Sequence, residues 1–120
     1  MYDRLLGSLL RMDRDMAEFK NINVAELQAM LAQGCIRLVD VRTDAEIAQG
    51  FIRGAEKLPL HLLPIRLHEF DRAVPTVFYC RMGGRSAQAA AFAAAEGFVE
   101  VYNLQGGIAA WLQAGARLEV

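Results

Sequence analysis

Apolar residues in this chain follow two alternating rhythms: short unbroken runs, and longer stretches in which they recur every three or four positions. Thr76-Val77-Phe78-Tyr79, β-branched and aromatic, reads as a buried strand. Ser86 to Glu96 holds seven alanines and no breaker before Gly97, the composition of a helix with a glycine stop. Upstream, Asn23-Val24-Ala25-Glu26 is a capping box and Gly34 closes the run, predicting a helix over Val24 to Gln33. Ile36 to Val41 reads as a strand. Thr43-Asp44-Ala45-Glu46 is a second capping box, opening a short helix that Gly50 ends. Ala55 to Leu58 predicts a short strand before Pro59, and Pro64 suits the first turn of a helix reaching about Phe70. Val99 to Leu104 is the last strand and Ile108 to Gln113 the last helix.

Strands alternating with helices predict an α/β fold whose parallel sheet is covered on both faces, with ligands bound at the carboxyl ends of the strands. Ahead of the domain, assigned to residues 21–120, lies an extension over 1–20 in which Leu5, Leu9, Met12, Met16 and Phe19 recur at helical spacing, although Gly7 weakens its first turn. Its apolar stripe is expected either to cover the domain's own core or to form a partner or homodimer surface.

A length of 120 residues with 54% hydrophobic and 22% charged residues fits one ordinary globular domain. A net charge of -1 argues against nucleic acid as a partner. The chain has no apolar stretch of membrane-spanning length, and its first residues are too charged for a signal peptide, so the expectation is a cytoplasmic protein without a membrane partner. With two cysteines, and with His61 and His68 apart from other ligand types, neither a disulfide framework nor a metal site is expected.

Chemistry concentrates in Cys80-Arg81-Met82-Gly83-Gly84-Arg85-Ser86, between the strand and the alanine-rich helix. At such a junction the loop amides and the first helical turn converge on the loop's centre and favour negative charge there. Gly83 and Gly84 permit the close approach and positive φ that such a cradle requires. An ordinary thiol, with a pKa of about 8.5, is only about three per cent thiolate at pH 7; bringing it to about 6.5 takes roughly 2.7 kcal/mol. The loop amides, Arg81 and Arg85 are the candidates to supply it. Cys35, next to Gly34, reads instead as a small buried hydrophobe, on the order of 17 Å from Cys80 if the two strands are parallel, too far for a disulfide. Asp40 and Arg42, two apart at a strand end, face one side and are expected to pair, with Arg42 bracing the loop. Arg81 suits contact with an anionic donor, Arg85 the ordering of the loop, Gly106-Gly107 a simple strand-to-helix turn and Trp111 the core.

The chain resembles the rhodanese family of sulfurtransferases, specifically its single-domain thiosulfate sulfurtransferases. Four motifs carry the likeness in order: Leu38-Val39-Asp40-Val41-Arg42, Gly50 to Pro59, the loop Cys80 to Ser86, and Leu104-Gln105-Gly106-Gly107 through Trp111. Phe51 and Lys57 stand where the family usually has His and Asn. The resemblance implies a three-layer fold with a central, mostly parallel sheet of about five strands flanked by helices. It implies Cys80 as the catalytic nucleophile, the loop Arg81 to Ser86 as the substrate-binding cradle, and Asp40 and Arg42 as structural support. Sulfur would pass from a small anionic donor such as thiosulfate, through a Cys80 persulfide, to a thiol, cyanide or protein acceptor, with no cofactor or metal. The alternative on the same residues is a persulfide carrier or regulatory module with little turnover. A phosphatase of related fold needs five residues between its cysteine and arginine, and only four separate Cys80 from Arg85.

Overall fold

The computed structural model describes residues 19–120. The helical reading of Leu5, Leu9, Met12 and Met16, with both the core-covering and the dimer role of their stripe, lies outside them; Phe19 alone of that stripe is described, and it packs against the core. Five strands, β1 (Lys20–Ile22), β2 (Arg37–Asp40), β3 (Glu56–Lys57), β4 (Thr76–Tyr79) and β5 (Val101–Leu104), form one sheet in the order β1-β5-β4-β2-β3. Every neighbouring pair is parallel. Five α-helices accompany it among the described residues: α1 (Val24–Gln33), α2 (Asp44–Ala48), α3 (Leu63–Arg66), α4 (Gly84–Ala95) and α5 (Gly107–Gln113).

Strand alternation divides the core into two layers. Val39, Phe78, Cys80 and Val101 pack with Ala89, Ala90, Ala93 and Ala94 of α4 on one face. Leu38, Val77, Tyr79 and Leu104 pack with Leu27 of α1 and with Ile108 and Trp111 of α5 on the other. The alanines therefore do more than favour helix: their small side chains let α4 lie close on the sheet, and all four are nearly or wholly buried. Trp111 is buried as expected, its indole N–H donating to the Arg117 carbonyl at 2.8 Å.

Both capping boxes form. Asn23 and Glu26 exchange bonds of 2.9 and 2.8 Å, and Gly34 ends α1 in the left-handed conformation. Thr43 and Glu46 do the same ahead of α2. The Pro64 helix is shorter than predicted: α3 covers four residues, flanked by 3-10 turns at Leu60–Leu62 and Leu67–Glu69. Edge strand β1 is an addition, set by its pairing with β5 rather than by its composition.

Cys35 is exposed, contrary to the expectation of a buried hydrophobe. It stands in the turn between the Gly34 cap and β2, which begins only at Arg37, so no sheet face covers it. Arg37 pairs with Thr76 and Asp40 with Tyr79, so Cys35 precedes one end of the sheet while Cys80 follows the other; both thiols are free. Among the described residues no helix is long and apolar enough to cross a membrane.

Candidate functional site

The site begins where β4 ends. Continuing the strand's alternation, Cys80 points into the α4 layer and is 1% exposed, yet its sulfur is ringed by polar groups. The Gly83 amide donates to Sγ at 3.1 Å and the Ser86 amide at 3.4 Å, while the Ser86 hydroxyl lies 3.2 Å away. Gly83, with φ of 111°, is the turn that folds these amides back on the sulfur before α4 starts. Burial pushes the thiol's pKa up, but the Ser86 hydroxyl and the amides of Ser86, Gly83 and Met82 outweigh it and leave the thiol more acidic than usual. These hydrogen bonds, rather than the two arginines named from the sequence, are the principal acidifying contacts.

Arg85 is engaged elsewhere. Its guanidinium grips the Glu46 carboxylate in a two-pronged contact of 2.8 and 2.9 Å, tying the first turn of α4 to α2. That guanidinium, helped by the Thr43 amide and hydroxyl against a smaller opposing effect of burial, brings the Glu46 carboxyl down to about 2. Glu46 thus caps α2 and anchors the cradle at once. The sequence showed only the first role, because its partner is 39 residues away.

Asp40 and Arg42 do pair, through Nη2 at 2.7 Å and Nε at 3.0 and 3.2 Å. Both are buried, and Arg42 also donates to the Gly50 carbonyl at 2.7 Å. Burial works against the Arg42 charge, but Asp40 more than offsets it and raises its pKa. The pair therefore braces the segment from β2 to Gly50. No hydrogen bond joins Arg42 to the Cys80 loop, which corrects its predicted role: α2 leads away from the strand end, and the guanidinium follows it to Gly50.

What holds the loop from behind is the second glycine of Gly106-Gly107. The first amides of α5 donate to the loop's carbonyls, Ile108 to Cys80 at 2.9 Å and Ala109 to Arg81 at 3.1 Å. A Cβ on Gly107 would sit 2.6 Å from the Arg81 carbonyl oxygen and closer still to that of Cys80. The pair is thus a docking point for the Cys80 loop as well as a turn. A further unpredicted participant is Asn103 of β5, 4% exposed, which accepts the Ser86 hydroxyl at 2.5 Å. Its signal in the sequence was one polar residue on the inward side of an otherwise apolar strand.

Beside the loop opens a cavity of about 360 Å³ lined by Arg42, Glu46, Arg81, Ile108, Leu112 and Leu118, among others. Arg42 and Glu46 are committed to partners. Arg81 is exposed, and its guanidinium makes no hydrogen bond or ion pair with any described residue. Met82 is 66% exposed at the loop's tip. The two departures from the family pattern meet each other, the Lys57 ammonium lying 5.5 Å from the Phe51 ring centroid.

A family model described as Rhodanese-like domain matches residues 23–114. A sulfurtransferase of Allochromatium vinosum is 51% identical over 80 residues, which cover 67% of this chain and 75% of the relative. A thiosulfate sulfurtransferase GlpE of Pseudomonas fluorescens is 38% identical over 96 residues, covering 80% of this chain and 87% of the relative. The crystal structure of a rhodanese-related protein from Thermoplasma volcanium is similar with a TM-score of 0.78 at 26% identity, covering 84% of this chain and 98% of that one. With the family model running from the cap of α1 to the end of α5, the chain belongs to the rhodanese-like domain family of sulfurtransferases.

Proposed function

We propose that this chain is a thiosulfate sulfurtransferase whose nucleophile is Cys80. The observation that carries the reading is the acidified Cys80 sulfur at the centre of amides from Gly83 and Ser86. In the first step the thiolate attacks the outer sulfur of thiosulfate; the sulfur–sulfur bond of the donor breaks, and sulfite leaves with its electron pair. A persulfide remains on Cys80 with its negative charge on the outer sulfur. The amides at the start of α4, which helix geometry turns toward the loop's centre, stabilise that charge. In the second step a nucleophilic acceptor, cyanide or a thiolate, takes the outer sulfur and returns Cys80 to the thiolate. Arg81, at the cavity wall and without an ion-pair partner among the described residues, receives the anionic donor.

Incubation with thiosulfate, followed by intact mass measurement and a cyanide turnover assay, tests this. The expected result is an increase by the mass of one sulfur atom, removed by cyanide with turnover. An adduct without turnover would instead make the chain a carrier, and the absence of any adduct would remove thiosulfate as the donor. Arg81→Ala is expected to reduce kcat/KM for thiosulfate about tenfold while changing an uncharged persulfide donor little, since one charge-assisted contact is worth on the order of 1.5 kcal/mol. A uniform drop for both donors would make Arg81 a support of loop shape.

A further inference from the structure

Behind the Cys80 sulfur lies a chain of hydrogen bonds whose direction is fixed. The Gly83 carbonyl can only accept, and it lies 3.4 Å from the Asn103 side-chain nitrogen, which also donates to Asn21 Oδ1 at 2.9 Å. The Asn103 amide is thereby oriented, with its Oδ1 turned toward Ser86. Since Oδ1 cannot donate, the contact of 2.5 Å requires the Ser86 hydroxyl to spend its single hydrogen there. Toward Cys80 Sγ, 3.2 Å away, Ser86 then presents a lone pair. That arrangement suits a thiol, whose S–H donates to Ser86 Oγ, and opposes a thiolate.

On ionisation the demands reverse. The thiol proton leaves to water, and the sulfur becomes an acceptor facing an oxygen lone pair in a buried site. The conflict is relieved if the hydroxyl rotates and gives its hydrogen to sulfur, but Asn103 Oδ1 then loses its donor within a residue only 4% exposed. Leaving such a buried acceptor without a partner costs on the order of the bond itself. We infer that Asn103 is a positioning residue for Cys80: it holds the Ser86 hydroxyl hydrogen while the cysteine is a thiol, and yields it to the sulfur when the cysteine ionises. In the persulfide the charge moves to the outer sulfur among the loop amides, so the hydrogen returns to Asn103. The hydroxyl follows the charge through the cycle, and no atom is gained or lost by the pair.

This inference rests on Cys80 as the nucleophile proposed above. It concerns a competition for one hydrogen, so its sign is opposite to that of ordinary structural support. Removing Asn103's oxygen frees Ser86 to serve the thiolate alone and makes Cys80 easier to ionise, although the substitution deletes hydrogen bonds. The charged groups facing the sulfur stay as they are. Arg85 of α4 is bound to Glu46 of α2, Asp40 and Arg42 are bound to each other beyond β2, and Arg81 is exposed on the loop. On this face the polar side chains of β1 and β5 are the uncharged Asn21 and Asn103, since Lys20 and Tyr102 alternate to the opposite side, and α5 carries no charged residue.

The test is the pH dependence of iodoacetamide alkylation at Cys80, read by mass on the peptide that contains it, in the full chain without any sulfur donor. Asn103→Leu is the near-isosteric variant, and Asn103→Ala removes the same acceptor with less volume should leucine prevent folding. The alkylation midpoint is expected to fall by about half to one pH unit, the equivalent of one net hydrogen bond. In a Ser86→Ala background, which has no hydroxyl to contest, the same substitution is expected to leave the midpoint within about 0.2 unit. An unchanged or raised midpoint in the parent background would overturn the inference, as would an equal fall in the Ser86→Ala background. Because alkylation needs no donor, the result stands apart from the adduct experiment: Cys80 could fail to carry sulfur and still report on Asn103.

Discussion

Cys80→Ser is expected to abolish the sulfur adduct and to lower thiosulfate turnover by at least about three orders of magnitude, whereas Cys35→Ser leaves both within a factor of about two. A serine hydroxyl cannot form the sulfur–sulfur bond, and at neutral pH it is not ionised by amides that suffice for a thiol. The structure separates the cysteines by environment as well as by position. Cys80 is enclosed by donors at the carboxyl end of β4, whereas Cys35 is exposed in the turn before β2. Intact mass after thiosulfate treatment, with cyanide turnover on the same preparations, checks the expectation. Equal loss in both variants would sink a single-cysteine mechanism and point to sulfur passing between the thiols, which the parallel register of β2 and β4 places at opposite ends of the sheet.

The parts of this site legible in the sequence were those written in local pattern. A strand of four β-branched or aromatic residues, two glycines and an alanine run place Cys80 at a strand-to-helix junction, and both capping boxes form where their spacing puts them. Local pattern fails where a residue's role is set by a distant partner. Glu46 reads fully as a helix cap, and nothing nearby announces that Arg85 shares it. Asn103 is one polar residue in Val-Tyr-Asn-Leu, and only the sheet order brings it beneath the Cys80 loop. Arg42 and the Cys80 loop both lie at strand ends, which in the sequence suggests contact, but the Asp40 pair and the Gly50 carbonyl direct the guanidinium to the α2 segment instead. Cysteine as a residue type is mostly buried, but Cys35 stands two residues before its strand begins, where no layer packs against it. The sequence of β1, Lys-Asn-Ile, is poor in strand formers, and pairing with β5 supplies what its composition lacks.

Gly107→Ala is expected to be the most damaging single-methyl change near the site. Two costs combine at this position. Its φ of 55° lies in the left-handed region, which costs an alanine about 1–2 kcal/mol. The added methyl would also press on the carbonyl oxygens of Cys80 and Arg81, backbone atoms that cannot rotate away as a side-chain tip would. Either α5 or the loop has to withdraw, and withdrawal breaks the bonds from Ile108 to Cys80 and from Ala109 to Arg81, worth about 1 kcal/mol each. The total of about 3–4 kcal/mol corresponds to a Tm lower by roughly 12–30 °C for a domain of this size. Gly34→Ala is the control, since Gly34 has a φ of 81° and nothing within 4 Å of the added methyl. It bears the backbone cost alone and should lose about 1 kcal/mol. Activity divides the two further. Displacing the Cys80 backbone moves the sulfur against its amides, and because misplacement by about 1 Å can cost a hundredfold in rate, folded Gly107→Ala should retain at most about a tenth of parental turnover. Gly34→Ala should retain nearly all of it. Thermal melts paired with thiosulfate turnover below the lower Tm decide the matter. If Gly107→Ala matched Gly34→Ala in both measurements, the amides of α5 would not be what fixes the Cys80 loop in place.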